Sequence, residues 1–400
     1  MNKQWLAYLC LFVVALVVSL LMTPVASKIA WKVDAVDYPD SRRINRQPIP
    51  RMGGIAIFSG ILAMLLVRYL GSHYLGWSMA FTPSPHLRNV DYFLLGIAFV
   101  IVFVTGVIDD CISLSPRKKL FGQLLASCVA VASGLVIGDI VNPSSATELI
   151  HVGWLTYPIT VIYLVAYTNI FNLIDGLDGL ASGIAFIASV TLTVLSLLRG
   201  QVDAATLAIA LAGSTLGFLK YNFHPASIFL GDSGSLLLGF TLATISLLSV
   251  TRISSLTTII VPLVVAGIPI IDTLSAIIRR SRAHVSVGQA DRGHIHHRLL
   301  DEGFDQRQTV LVIYAWTVLL SIGAIIMTQI GPIARIAVFV ILVMASVLIA
   351  AKLRLFSPVL LHHYNPRTGH DELITPQNPA FEKEEARLEQ EHASRVPFRK

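Results

Sequence analysis

Apolar stretches of about 17–25 residues alternate along this chain with short polar joints, and a helix needs that length to cross about 30 Å of hydrocarbon. The pattern predicts about eleven such helices, at 4–24, 52–70, 91–109, 120–138, 154–173, 180–198, 204–219, 234–250, 254–278, 308–330 and 333–351. The first run is too long for a cleavable signal and only Lys3 precedes it as a basic residue, so it is expected to remain as a span. After Lys352 the pattern gives way to a polar tail, where Glu382, Glu384, Glu385 and Arg387 suit a short helix. The expected class is all-α: a polytopic integral membrane protein with a membrane domain over 1–352 and a polar tail over 353–400.

Composition agrees with the pattern. Of 400 residues, 54% are hydrophobic and 14% charged, against about 25% charged in an ordinary soluble domain. An odd number of spans puts the termini on opposite sides. Loops 25–51, 110–119, 220–233 and 279–307, with the tail, hold 24 of the 30 Lys and Arg; the other six are Lys3, Arg68, Arg88, Arg199, Arg252 and Arg335. Basic loops stay in the cytoplasm, so the N-terminus is expected outside and the C-terminus inside. The net charge of +6 then reflects topology and anionic lipid or substrate, not nucleic acid. Cys10, Cys111 and Cys128 have no pairing or ligand spacing and read as filler within helices.

Polar residues that interrupt this pattern gather on the cytoplasmic side. The richest cluster is NIFNLIDGLDG, Asn169 to Gly179, at the end of one run. Asn169, Asn172, Asp175 and Asp178 are spaced by threes, which on an ideal helix turns the first and last to opposite faces. They converge only if the helix tightens or breaks, and Gly176 and Gly179 supply a permissive backbone for a break. Asp109 and Asp110 end another run, and Arg117, Lys118 and Lys119 open the next. In GDSGS, Asp232 sits at a helix start that Ser233 or Ser235 can cap, and free amides there suit an anion. The loop Arg279 to Phe304 carries His294, His296, His297 and Arg298, which suit either metal ligation or phosphate contact. Asp272 lies just before it in PIIDT. Arg42, Arg43, Arg46 and Arg51 in the first loop either enforce topology or greet a phosphate-bearing substrate.

Carboxylates and amide oxygens are hard ligands that favour Mg²⁺ or Mn²⁺, with phosphates completing the shell. Carboxylates and cations together at one membrane face, and not at mid-bilayer, point to metal-assisted phosphoryl transfer at headgroup level. A proton-coupled transporter instead requires charges near mid-membrane and symmetry between halves, and the sequence offers neither. A catalytically dead scaffold would not need every one of these carboxylates.

With these motifs the sequence resembles the polyprenyl-phosphate N-acetylhexosamine-1-phosphate transferase superfamily (glycosyltransferase family 4), from about Val36 to Gln308. The resemblance implies a bacterial plasma-membrane enzyme that joins a sugar 1-phosphate from a UDP-N-acetylhexosamine to undecaprenyl phosphate, releases UMP and needs Mg²⁺. It leaves a homodimer open. DRGHIHHRLL is similar to the WecA/TagO branch, which uses UDP-GlcNAc or a relative; the phospho-MurNAc-pentapeptide transferases carry a different His-rich loop and stand second. By resemblance Asp232 and Asn172 hold Mg²⁺, and Asp109 and Asp110 lie beside the lipid phosphate. Lys119 meets the phosphates, Asn222 and Asp178 lie near the uridine, and His294 to Arg298 close on the sugar diphosphate. Asp175 is grouped with the catalytic residues, Asn169 and Arg51 with those binding substrate. Two positions depart from the pattern: Asn45 stands where a His is usual, and Ser113 where many relatives carry a third acid.

Overall fold

Inside a hydrocarbon layer the backbone must satisfy its own polar groups, so each apolar run is driven to form a helix. In the computed structural model these are α1 (Lys3–Lys32), α2 (Gly54–Tyr74), α3 (Tyr92–Ile112), α4 (Pro116–Ala132), α5 (Thr156–Ile174), α6 (Leu180–Leu198), α7 (Val202–Asn222) and α8 (Gly231–Ser249), followed by α9 (Gly267–Arg282), α10 (Ile295–Asp301), α11 (Gln306–Gln329) and α12 (Pro332–Lys352). The structure describes residues 3–38, 47–77, 90–141, 149–150, 152–249, 253–255, 263–282, 293–356, 361–365 and 370–374. Arg42, Arg43, Asn45 and Arg46 lie outside them.

Among the described residues nine helices are long and apolar enough to cross a membrane: α1, α2, α3, α5, α6, α7, α8, α11 and α12. The chain is therefore an all-α, multi-pass membrane protein. Two of the expected runs fold differently. Run 120–138 becomes a 17-residue helix that starts earlier, at Pro116, and stops at Ala132. Pro is well placed at a helix start, and the end is made by Gly134 at φ 90°. The α4 helix still reaches the start of α3, because the Ser133 carbonyl accepts from the Asp91 amide at 2.7 Å. Among the described residues run 254–278 is not one continuous helix: Ile253–Ser255 is a strand paired in parallel with Asp139–Val141, and residues 263–265 are helical up to a turn at Ala266, after which α9 begins at Gly267. Conversely, the short run 204–219 lies within a full 21-residue helix, α7.

The described residues group into two compact units, one of residues 1–269 and 306–340, the other of residues 270–305 and 341–400. In the first, α8 is the central helix. Every residue from Ser233 to Ser249 is buried, with α3, α5, α7, α6 and α2 packed around it. Small residues permit the close approaches, as expected where lipid gives helices no hydrophobic drive to associate. A Cβ on Gly213 or Gly217 of α7 would lie 2.5 Å from the Phe12 carbonyl oxygen or 2.4 Å from that of Leu16, so α1 rests directly on this face. The outward faces of α1 (Leu9, Val13, Val17, Leu21) and α3 (Ile97, Val100, Val104, Ile108) are exposed and apolar, as lipid contact requires.

Consecutive helices alternate in direction, so the C-terminal ends of α1, α3, α5 and α7 meet the N-terminal ends of α2, α4, α6 and α8 at one face. At the opposite face Arg68, one of the six basic residues outside the cytoplasmic set, forms a buried ion pair with Asp203. Tyr92 donates to the same carboxylate at 2.6 Å and Arg68 donates to Thr206 at 2.7 Å.

In the second unit, the residues of α9 from Ile270 onward accompany α10. Arg279 donates to Ser275 at 3.0 Å and to the Leu355 carbonyl at 2.5 Å. The polar tail contributes an antiparallel hairpin, Leu361–Asn365 with His370–Ile374, where no strand was expected. The helix expected around Glu382 to Arg387 lies outside the described residues.

Candidate active site

The site is built on the first turn of α8. Residues 50–54 pair with the segment before it: Phe229 N–H donates to the Pro50 carbonyl at 2.8 Å, Gly53 to Phe229 at 3.1 Å and Gly54 to Leu230 at 3.2 Å. Gly54 and Gly106 then let α2 and α3 press against the α8 start, since a Cβ on either would fall 2.3 or 2.5 Å from backbone atoms of residues 232–233. Gly231 adopts φ 71°, and a Cβ there would strike the Asp110 carboxylate at 2.7 Å.

Asp110, 1% exposed, accepts from the backbone N–H of Asp232 at 2.7 Å and of Ser233 at 3.0 Å. Free amides at a helix start carry partial positive charge, and a carboxylate satisfies them. The expected serine cap is thus replaced by an acid from another helix. Asp110 thereby ties the end of α3 to the helix start that carries Asp232.

Asp109 points elsewhere, as the roughly 100° step between helix neighbours requires. Its Oδ1 accepts from Leu114 N–H at 2.5 Å, and its Oδ2 lies 3.0 Å from the Lys119 ammonium. The Asp232 carboxylate pairs with the same ammonium, and the Asn172 carbonyl oxygen accepts from it at 3.2 Å. Asn172 Nδ2 donates to Asp232 at 2.6 Å and to Ser235 Oγ at 2.8 Å. Lys119 lies in the first turn of α4, beside Arg117 and Lys118, where the helix dipole disfavours cations. The two carboxylates hold it there.

Three hard oxygen donors, from Asp109, Asp232 and Asn172, thus converge on one cationic point. That donor set fits Mg²⁺, which is bound by one or two carboxylates with phosphates and water completing its octahedron. Among the described residues no three His, Cys, Asp or Glu side chains are disposed as a metal site, so an all-protein cage is absent from them. The histidine cluster likewise forms no such trio there.

The NIFNLIDGLDG helix does break as the spacing requires: α5 ends at Ile174 and α6 starts after Gly179 at φ 77°. Its four polar residues only partly converge. Asn172 reaches Asp232, whereas Asn169 exchanges hydrogen bonds with Gln123 on α4 at 2.6 and 3.3 Å. Asp178 accepts from His224 Nδ1 at 2.7 Å and from Ala226 N–H at 3.1 Å. Asp175 sits between them. Loss of hydration, then the charges of Asp232, Asp110 and Asp178, hold its carboxyl well above the usual range. Asn222, 3% exposed, accepts from Ser182 at 2.7 Å and donates to the Ile228 carbonyl at 3.1 Å. Asn222 thereby braces the turn leading to α8. Arg51 donates to Ser113 at 3.5 Å, beside the end of α3.

Sequence reading missed Gln123 and Ser182, single polar residues within apolar runs whose only signal was that interruption, and it gave Ser235 only as a helix cap, whereas its hydroxyl accepts from Asn172. Tyr314 of α11 was also missed; its hydroxyl donates to the Gly179 carbonyl at 2.5 Å and steadies the break.

His294, His296, His297 and Arg298 belong to the second unit. His294 precedes α10, and its ring stacks on His296 at 5.8 Å between centroids, with His297 beyond at 4.3 Å. Burial pushes the His296 imidazole down to about 3, so it is neutral at physiological pH. Arg298 donates to the Arg354 carbonyl at 3.0 Å.

The sequence profile described as glycosyl transferase family 4 matches residues 92–250, from the start of α3 to the end of α8. The chain is similar to the probable undecaprenyl-phosphate N-acetylglucosaminyl 1-phosphate transferase of Bacillus subtilis, 39% identical over 82% of this chain and 87% of the relative. It is 34% identical to the decaprenyl-phosphate N-acetylglucosaminephosphotransferase of Mycobacterium leprae, over 78% and 81%. A third relative, the undecaprenyl-phosphate alpha-N-acetylglucosaminyl 1-phosphate transferase of Yersinia pestis, is 30% identical over 75% and 79%. Identity of this extent across the helices that build the Asp109–Lys119–Asp232 cluster means that the chain belongs to glycosyl transferase family 4, the polyprenyl-phosphate N-acetylhexosamine-1-phosphate transferase superfamily.

Proposed function

We infer that the protein transfers GlcNAc-1-phosphate from UDP-GlcNAc to a polyprenyl phosphate, releasing UMP. The convergence of Asp109, Asp232 and Asn172 oxygens on Lys119 at the α8 start carries this reading. Such a site suits an anionic diphosphate brought in with a divalent cation. The donor and acceptor classes follow the activities named for the three relatives. The acceptor is taken as undecaprenyl phosphate, and the site as facing the cytoplasm of a bacterial plasma membrane, where most Lys and Arg lie.

Asp232, Asn172 and Asp109 would hold Mg²⁺ or Mn²⁺. The bound ion would neutralise charge on the diphosphate as the phosphoryl bond breaks. Lys119 supplies the positive charge nearest the same oxygens and offsets that of the acceptor phosphate. A phosphate monoester has a second pKa of about 6, so the acceptor is mostly dianionic at neutral pH and needs no base. Its oxygen attacks the β-phosphorus of the donor in line. One P–O bond forms, the bond to the bridging oxygen breaks, and UMP leaves with that electron pair. Asp110 is committed to two backbone amides and Asp109 to Lys119 and Leu114. Orientation is therefore their task, in preference to proton removal or nucleophilic attack.

The experiment incubates purified protein in detergent with undecaprenyl phosphate and radiolabelled UDP-GlcNAc, UDP-GalNAc or UDP-MurNAc-pentapeptide. Labelled lipid and equimolar UMP are expected from UDP-GlcNAc, lost in EDTA and restored by Mg²⁺ or Mn²⁺. Asp232→Asn should remain inactive at any metal concentration. No lipid product from any donor in Mg²⁺ would overturn the reading. Preference for the MurNAc donor would move the protein to that branch.

A further inference from the structure

One amide of the NIFNLIDGLDG helix is engaged away from the acid cluster. Asn169 Nδ2 donates to the Val165 carbonyl at 2.8 Å. A carbonyl only accepts, so this contact tells the nitrogen of the amide from its oxygen. The same Nδ2 donates to Gln123 Oε1 at 2.6 Å, which leaves Gln123 Nε2 to donate to Asn169 Oδ1 at 3.3 Å. Both Nδ2 protons of Asn169 are therefore taken, and Gln123 is 2% exposed. The two side chains close on each other.

This pair stands one helical turn beyond the Lys119 ammonium. Lys119 and Gln123 are four apart on α4, and Asn172 and Asn169 three apart on α5, so each couple shares a helix face. The two helices meet in two rungs, Lys119 with Asn172 at 3.2 Å and Gln123 with Asn169. The other buried positions of α4 are Ala126, Ser127 and Ala130, too small to define a register by shape. Its large apolar side chains, Leu120, Phe121, Leu124 and Leu125, are exposed, and contact with lipid favours no one seat against α5. We propose that Gln123 and Asn169 are positioning residues: their amide pair fixes the depth and rotation of α4 against α5 and so keeps Lys119 between Asp109 and Asp232. Asn169 then belongs to the scaffold and not to the substrate contacts, where the family resemblance groups it. Fixing the register of packed helices is the best-attested service of a buried polar pair. The kinetic arm of the test rests on the proposed function; the placement of Lys119 does not.

The first arm reads the ammonium itself. Full-length protein in detergent, monodisperse by size exclusion, is treated briefly with acetic anhydride. Tandem mass spectrometry then compares acetylation of Lys119 with that of the exposed Lys118 beside it. Lys119, 17% exposed and tied to two carboxylates, should react more slowly in the wild type. Gln123→Met/Asn169→Leu keeps apolar packing and leaves neither amide unpaired. A hydrogen bond between helices in lipid contributes a factor of roughly three, so losing two should raise the Lys119-to-Lys118 ratio by about threefold to tenfold. An unchanged ratio would overturn the proposal. The α3 contact, where a Cβ on Gly122 would lie 2.3 Å from Thr105 Oγ1, would then hold α4 by itself. The swap Gln123→Asn/Asn169→Gln conserves the combined length of the two side chains and should bring the ratio back toward wild type. A swap no better than Gln123→Asn would also overturn the proposal.

The second arm is turnover. Gln123→Met, a change at a buried residue, should lower kcat by roughly 10–10²-fold, as expected when a reacting group is misplaced by about 1 Å. Asn169→Leu should cost about as much, and both changes together no more than either one, because a single bonded unit is lost. Effects that multiply in the double variant would overturn the proposal. So would a raised KM for UDP-GlcNAc in Asn169→Leu but not in Gln123→Met, which would return Asn169 to the substrate contacts. Should the wild type prove to have no transferase activity, the proposed function fails, while the acetylation ratios still decide what holds Lys119.

Discussion

Asp110→Asn separates positioning from chemistry within the adjacent acid pair. Asp110 accepts two backbone amides, at 2.7 and 3.0 Å, in a nearly water-free setting. Asn keeps one acceptor oxygen but turns an NH₂ toward the second amide, donor against donor. A hydrogen bond to a charged group contributes about 1.5–3 kcal/mol, and a favourable charge at a partly buried helix end up to about 2 kcal/mol. These overlap, and the neutral amide escapes the desolvation cost of the carboxylate. A net loss of about 1–3 kcal/mol follows, or on the order of 5 °C in Tm. The displaced first turn of α8 carries Asp232 away from Lys119 and Asn172, so turnover should fall along with stability. Asp109→Asn, which touches Lys119 and Leu114 but no α8 amide, should lose turnover with a smaller fall in Tm. The assay heats detergent-solubilised variants, follows the monodisperse fraction by size exclusion, and measures UMP release in parallel. An Asp110→Asn protein with wild-type Tm and no turnover would refute the reasoning, since Asp110 would then act on substrate directly. Full turnover with a lowered Tm would show that the exact seat of α8 does not govern the reaction.

Asp175→Asn should stabilise the metal-free protein in EDTA. The raised carboxyl keeps its proton when folded and loses it when unfolded, so wild-type stability falls as pH rises from about 4 toward the folded pKa, and the variant should lack that fall. His296 works in the opposite sense: its imidazole is depressed, so its contribution is complete above about 6.5 and declines as pH drops toward 3. Thermal scans should show His296→Gln losing less stability than wild type between pH 6.5 and 5. Arg68→Ala leaves the Asp203 charge buried and should cost about 3–5 kcal/mol, while the double change Arg68→Met/Asp203→Leu recovers most of it; Tm of the three proteins decides. Gly54→Ala drives a methyl to 2.3 Å from the Ser233 backbone, so UMP release should fall at least about tenfold, and a wild-type rate would show that α2 can yield.

Repeated apolar runs separated by basic and acidic joints determined the fold class of this protein and which joints share a face. Burial of a backbone in lipid admits helices of one length range, and their alternation must return every second joint to the same face. The candidate site was legible for the same reason. Asp109, Lys119, Asn172 and Asp232 each sit at an end of an apolar run, and ionisable groups there are costly unless they have work to do. What each does was not legible, because adjacent residues share a neighbourhood in sequence and diverge by a third of a turn in space. Asp109 meets an ammonium and Asp110 a helix start, and nothing in the pair DD distinguishes them.

Tertiary structure alone decided the partners separated by many residues. Asp110 finds the amides of Asp232 and Ser233, Asn169 finds Gln123, Arg68 finds Asp203, and Asp272 finds His294. It also decided where two apolar runs depart from continuous helices of the expected bounds. Local hydrophobicity cannot register that Ile253–Ser255 has a strand partner in Asp139–Val141. Nor can it register that Gly134 will close α4 early. Hydrophobicity is a property each residue carries by itself, so the chain order records it in full. Hydrogen bonds between distant groups depend on which helices pack together, and that packing follows from glycines and small residues whose meeting points exist only in three dimensions.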